Sequence, residues 1–447
     1  MSSPDVTRSW YESAFARFEQ GLNGGSTSPL HLARRRSLAS FAARGFPTTA
    51  DEEWRFTSVA PIAATRYVPS VSPGAAGVAA SEVSRWALPG DGSVLLVFVN
   101  GHFAPEHSRI PALPRGVRIG SLAAALASDP SLPVMEFSGE SGNGQDAFGA
   151  LNTAFLTDGA FVAVADGVTF EAPVHIFCLA APGSEPLLVL PRHLVLAGKG
   201  ARVNVLETYG GTTPGGFLTD AVTDIRVGPG AVVEHDTLQM EGRSSYHVGT
   251  THVTLGAGAA FTSNAITLGG ALVRNNVSAV FAGEDAECTL NGLSVATGTQ
   301  HIDNHTVIIH AVPRCRSHEL YKAVLDGSAR GVFNGKIFVR QDAQKTDAKQ
   351  TNRTLLLSDD ATIDTKPQLE IFADDVKCTH GAAVGQLDED QVFYLRSRGI
   401  GEAEARDLLT FAFATDVINR VHVSALRDRL DTLLHARLRQ GRVNEES

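Results

Sequence analysis

The chain has 447 residues, enough for a large core and for more than one domain, and its 43% hydrophobic and 19% charged content is ordinary for a soluble globular protein. A net charge of −10 argues against a general nucleic-acid binder, because nothing supplies a broad phosphate-neutralising surface. No apolar run reaches about 18 residues and no basic-then-apolar leader follows Met1, so neither a membrane span nor a secretory signal is expected, and the protein reads as cytoplasmic.

Tyr11, Phe15, Phe18 and Leu22 recur at helical spacing and predict a first helix. Leu38 and Phe41 belong to a second, closed by Gly45 and Pro47, on which Arg34, Arg35 and Arg36 read as a solvated face. A charged and aromatic cluster runs from Asp51 to Phe56. From Ser93 the pattern turns β-like, with Val94 to Val99 forming a short buried strand that ends at Asn100 and Gly101. A glycine and serine stretch from Ser138 to Gly144 reads as a loop and as the best domain boundary. The chain thus divides into an N-terminal helical region (1–90), a mixed α/β connecting region (91–150), a repeat region (151–386) and a C-terminal helical region (387–447).

The repeat is a corner followed by an alternating strand: GKGARV from Gly198, GPGAVV from Gly228, GAGAAF from Gly256 and GEDAEC from Gly283. The steps are 30, 28 and 27 residues, and Gly167 precedes Gly198 by 31. Regular spacing of this kind marks a solenoid. Related corners, SDDATI from Ser358 and ADDVKC from Ala373, stand 15 apart, about half a period, so each coil would carry two strands. The fold expected is mainly β, a parallel β-helix core flanked by helical regions at both ends. Strands of such a core pair with the coils above and below, and bare backbone remains only at the two ends.

After Gln386 the pattern returns to helix. Asp388 is a plausible N-cap with Gln391 three residues on, and Gly399 closes the element. Between Glu402 and Ile418, Leu408, Leu409, Phe411 and Phe413 join other apolar residues in covering more than one helical face. Such a helix needs burial from two sides. The last helix, with Leu426, Leu430, Leu433, Leu434 and Leu438, can supply one, and a docked partner the other.

Four cysteines, Cys178, Cys288, Cys315 and Cys378, are widely spaced with no CxxC, which fits reduced thiols better than disulfides or a structural zinc site. Cys178 and Cys288 alternate with apolar residues and read as core. Cys315 lies between Arg314 and Arg316, cations that favour a thiolate, though a loop residue without chemistry is the plainer reading. His301, Asp303 and His305 share one face of a strand and could bind a metal, or simply form an outward polar row. The pairs Asp359/Asp360 and Asp374/Asp375 could be the carboxylates of a β-helix carbohydrate-active enzyme, but they fall at corners, where Asp serves turns. GVFNGKI around Lys336 lacks the flanking residues of a phosphate-binding loop, so the chain is not expected to bind ATP. No GxSxG or HExxH occurs, and stand-alone catalysis is not expected.

Cys378 and His380 are the remaining pair. In an extended segment they share a face, with Cα atoms about 6.6 Å apart. They could ligate iron or carry sulfur, with coordination completed by another subunit, or be a core cysteine beside a satisfied histidine.

The run from Phe333 to Gly399, containing DDVKCTHG and LDEDQVFYLRSRG, resembles the signature of the SufB/SufD family of iron–sulfur cluster assembly proteins, with details favouring its SufD branch. DEEWRFTSVAPI from Asp51, LETYGG from Leu206 and NGLSVATGTQHIDNHT from Asn291 extend the resemblance over nearly the whole chain. It implies a non-catalytic scaffold that pairs with SufB through the β-helix core and docks the SufC ATPase on its C-terminal helices. A transient cluster would form at the SufB interface, with His380 implicated on this side and Cys378 its neighbour, while Cys288 and Cys315 stay structural. Some family complexes bind a reduced flavin, though no pattern here identifies its site. A homodimer, when the chain is alone, and a purely structural adaptor role remain open at this point.

Overall fold

The computed structural model describes residues 4–22, 28–73, 77–88, 93–132 and 146–443. The glycine and serine stretch 138–144 therefore lies outside the described residues, as does the side chain of Leu438. Strands make up 42% of the structure and helices 24%, and the strands wind into a parallel β-solenoid of about eight turns. This is the mainly β architecture that the corner repeat predicts.

Successive strands alternate between two sheets. One carries, in spatial order, Val117–Ser121, Ala160–Val164, Arg192–Ala197, Gly215–Val227, Ser244–Leu255, Leu272–Phe281, His301–His310, Arg330–Val339 and Thr362–Ile371. The other carries His102–Phe103, Val94–Val99, Thr169–Ala180, Arg202–Gly211, Val232–Gln239, Ala260–Thr267, Glu287–Ala296, Arg316–Leu325, Asp347–Leu356 and Lys377–Gly385. In-register pairing stacks equivalent side chains into columns. One inward column of the second sheet runs Val203, Val233, Phe261, Cys288, Ser317, Ala348, Cys378. The next inward column runs Val205, His235, Ser263, Leu290, Glu319, Gln350, His380. Strand alternation dictates both: Arg202 is exposed where Val203 is buried, and Val232 is only partly buried beside Val233. A fully buried ring such as Phe261 contributes about 1.5–3 kcal/mol to this core.

The corners explain the repeat. Gly200, Gly230 and Gly258 adopt φ of 65°, 65° and 63°, a left-handed turn open to glycine without steric cost. The next three turns place Asp285, Arg314 and Lys345 at φ of 60°, 59° and 61°. The residue after each turn points inward, giving a buried column of Ala201, Ala231, Ala259, Ala286, Cys315 and Thr346. Backbone bonds continue the ladder around the bend, as from Gly200 N–H to Pro229 O and from Gly230 N–H to Ala257 O, both 2.8 Å.

The two ends differ. At the N-terminal end the edge strands are antiparallel: Val117–Ser121 closes one sheet, and His102–Phe103 folds back on Val94–Val99 through a tight turn at Asn100 and Gly101, both at positive φ. At the other end Thr362–Ile371 and Lys377–Gly385 each pair on one side only, and no described strand covers them.

Helices Pro4–Gln20, Pro29–Arg44 and Ala147–Ala154 pack Tyr11, Phe15, Phe41, Phe148 and neighbours against Leu188, Leu218 and Val248 of the first sheet. Here one expectation is corrected. Arg34 is buried rather than solvated, because its guanidinium donates to Leu156 O just beyond the last of these helices. Its neighbours Arg35 and Arg36 are exposed, Arg35 beside Glu19. Helices Glu402–Ile418 and Ser424–Val443 lie on the second sheet, where Ala414, Val417, Leu426, Leu430 and Leu434 meet Leu238, Leu293 and Val324. The sheet and the last helix thus bury much of the broad apolar surface of Glu402–Ile418.

Candidate functional site

Lys377–Gly385 is the last strand of the second sheet, and its inward positions are Cys378, His380, Ala382 and Val384. In any earlier coil these would be sealed by the next turn. Here nothing described follows, so His380 is exposed and Val384 is 47% exposed. At the end of the preceding strand Ile371 is 38% exposed, and Phe372, just beyond it and packed against the Phe338 ring, is 59% exposed. The site is therefore an open coil mouth with apolar walls and one imidazole.

Cys378 is half-buried and packs with Ala343, Ala348 and Ala373. Burial pushes its thiol pKa up, partly offset by a backbone hydrogen bond at Ala348, so the neutral thiol is favoured in the isolated chain. Behind His380 the column stays polar. Gln350 Nε2 donates to Glu319 Oε2 at 2.6 Å, with both side chains buried. Burial raises the Glu319 carboxyl to about 7, against hydrogen bonds from Thr306 and Gln350 that lower it. Gly335 makes room for this amide, since a Cβ there would stand 2.2 Å from Gln350 Nε2.

The other proposed chemistry resolves differently. Cys315 occupies the corner column, where burial raises its pKa, while Arg314 turns to Glu284 and Asp285 and Arg316 faces Glu287. The expected thiolate influence is thus spent on surface carboxylates. Cys178 and Cys288 are buried and likewise pushed up by desolvation. His301, Asp303 and His305 do share an outward face of the solenoid, opposite to the inward Ile302, but it is not left to solvent. The Asp51–Thr57 segment covers it: Thr57 Oγ1 lies 2.9 Å from His301 Nε2 and donates to Asp303, Arg274 NH1 pairs with Asp303 at 2.7 Å, and His305 Nε2 lies 3.1 Å from it. Burial opposes ionisation of Asp303, yet Arg274, His305 and Thr57 hold its pKa well below the usual carboxylate range. The Arg274 guanidinium also stacks 4.1 Å from the Trp54 ring. This is a clasp between distant segments. Among the described residues no group of three or more His, Cys, Asp or Glu could hold a metal ion. Asp359, Asp360, Asp374 and Asp375 all sit exposed at turns or bends.

The C-terminal helices redistribute the docking candidates. Leu408 is 42% exposed, but Leu409 is partly buried, Phe411 stacks on His435 with centroids 4.0 Å apart, and Phe413 lies under Lys322 Nζ at 4.5 Å. Sequence reading missed Phe393 and Tyr394, on helix Glu389–Ser397, which are 70% and 56% exposed. Two adjacent aromatics on a short, mostly polar helix capped by Asp388 were the available signal. Also missed was a buried network inside the solenoid, where Glu207 accepts from Tyr209 Oη at 2.7 Å and Thr223 Oγ1 at 2.8 Å and lies 2.9 Å from His235 Nε2.

Residues 6–176 match the family model for the SufBD protein N-terminal region, and residues 179–413 match that for the SUF system FeS cluster assembly, SufBD core domain. A SufBD family iron–sulfur cluster assembly protein of Synechocystis is 32% identical over 421 residues, 92% of each chain. The iron–sulfur cluster assembly protein SufD of Escherichia coli is 31% identical, covering 91% of this chain and 93% of its own. The chloroplastic protein ABCI7 of Arabidopsis thaliana is 30% identical, covering 92% and 87%. Matches that run through both sheets, the clasp and the open last coil establish that this chain belongs to the SufBD family of iron–sulfur cluster assembly proteins.

Proposed function

We propose that the chain is a non-catalytic scaffold subunit of a cytosolic SufBCD-type complex, whose open coil pairs with a SufB-type subunit to hold a nascent cluster between them. The carrying observation is the last coil, where bare strand edges, exposed Ile371, Phe372 and Val384, and an exposed His380 meet at one surface. A bare parallel edge is a ready template for a strand from another chain. The cluster is cargo. His380 supplies one ligand from this side, and iron normally takes more, so the partner's groups complete the coordination. Cys378 is weighted less, because its packing and raised pKa suit a wall of the site. Phe393, Tyr394 and Leu408 form the surface offered to a SufC-type ATPase, which would power rearrangement of the complex.

The test is anaerobic reconstitution with both partners, measuring iron content and the visible absorption of the cluster. His380→Ala is expected to lower cluster content by about 10-fold or more with the complex intact, and Cys378→Ser to have a much smaller effect. Unchanged cluster content in His380→Ala, together with failure to co-purify an ABC-type ATPase, would sink the reading. If His380→Ala keeps its cluster but the complex still assembles, a structural adaptor role replaces it.

A further inference from the structure

The Gln350 amide is anchored at one end only. Its NH2 group donates to the Glu319 carboxylate at 2.6 Å, which points its carbonyl the other way. That carbonyl, Oε1, is buried and has no hydrogen-bond partner. A buried acceptor left unmet costs about 1–3 kcal/mol, so such an atom calls for a donor. The in-register neighbour one coil on is His380, whose side chain shares the inward face. Adjacent parallel strands stand about 4.8 Å apart, a gap that an amide and an imidazole on neighbouring Cα atoms can bridge. Gly335 and Phe333 wall the amide from the opposite sheet, which leaves Gln350 little freedom to turn away.

We infer that Gln350 is the positioning residue for His380: its Oε1 accepts one imidazole N–H and so turns the lone pair of the other ring nitrogen out of the coil mouth. This rests on the reading that His380 meets the cluster. Metal-binding histidines commonly donate their second N–H to a carbonyl or carboxylate, which fixes tautomer and ring orientation. Glu319 acts one step further back, by holding the amide. The isolated chain has an exposed His380, and the contact closes when a partner covers the mouth.

The experiment uses the complete anaerobic complex, with histidine labelled by 15N in this chain alone. In the wild type, one His380 ring N–H is expected to be hydrogen-bonded and protected from exchange, its signal identified by its loss in His380→Ala. Gln350→Met, similar in volume but lacking the acceptor, should remove that protection and lower retained iron about 10-fold, while the swap Gln350→Glu with Glu319→Gln, which keeps an amide-to-carboxylate bond and an acceptor facing His380, should recover much of both. A freely exchanging His380 N–H in the wild-type complex overturns the inference even if Gln350→Met fails to fold. Wild-type iron and protection in Gln350→Met, with iron lost in His380→Ala, overturns it while leaving the proposed function standing. Full iron retention in His380→Ala overturns both.

Discussion

The two ends of the solenoid are built from the same kind of strand and treated in opposite ways. At the N-terminal end, antiparallel strands fold over the sheet edges, and Phe98, on the strand inside one of them, is fully buried. At the C-terminal end, two strands of ten and nine residues keep an unpaired side, and Phe372 is 59% exposed. Edge strands are normally shortened, covered or charged. An end that keeps apolar side chains and bare backbone together departs from that rule, and the contrast matches the proposed division between a part that maintains the fold and a part that meets a partner.

The contrast breaks most visibly under matched truncations. Phe98→Ala should cost about 3–5 kcal/mol in chemical denaturation of the isolated chain, because a sealed core cannot collapse around the gap. A smaller loss would show that the capped end is not packed as described. An intermediate effect is expected between the ends, at Glu319. Its raised pKa means that the folded chain holds a proton there which the unfolded chain releases near its ordinary value of 4.5. Stability from this group is therefore present at pH 4 and falls as pH rises, levelling off above about 7. Glu319→Gln should flatten that slope, gaining on the order of 3 kcal/mol over wild type at pH 8 relative to pH 4, as read from denaturation midpoints. Parallel pH profiles for the two proteins would remove the basis for a proton on that carboxyl. The smallest stability effect belongs to Phe372→Ala, within about 0.5 kcal/mol in the isolated chain. Its signature should appear in titration against the SufB-type partner, as weakened association, and an unaltered affinity would move the interface elsewhere.

The fold was legible because its corners are spelled in glycine. Gly200, Gly230 and Gly258 hold the left-handed position, and the alanines after them must be small to stack. The spelling fades at Asp285, Arg314 and Lys345, where the same geometry is kept by residues that adopt it less readily, so the later coils were harder to count. At Cys315 the plainer reading was already a residue without chemistry, but only the structure shows that its place after a turn puts it in the alanine column. The candidate site was legible as a pair of residues on one face. Its place at the end of the repeat was legible too, since helix returns after Gln386, but the exposure of His380 was not, because a helix could have capped the last coil. Contacts such as Thr57 to Asp303, 246 residues apart, leave no local pattern, and the periodicity that aligned His301, Asp303 and His305 could not say what covers them.

The end-to-end asymmetry also bears on how many chains the proposed pairing could join. A solenoid bare at both ends would add neighbours without limit, as heterologous contacts do when no rotation closes them. With the N-terminal edges reduced to antiparallel strands of two and five residues, the long parallel edges lie at one end alone among the described residues, and pairing through them, as proposed, would leave no matching edge for a third chain. On that reading the strands at residues 102–103 and 117–121, at a distance from the coil mouth, are what lets a template of bare β-edge be displayed without seeding a fibre.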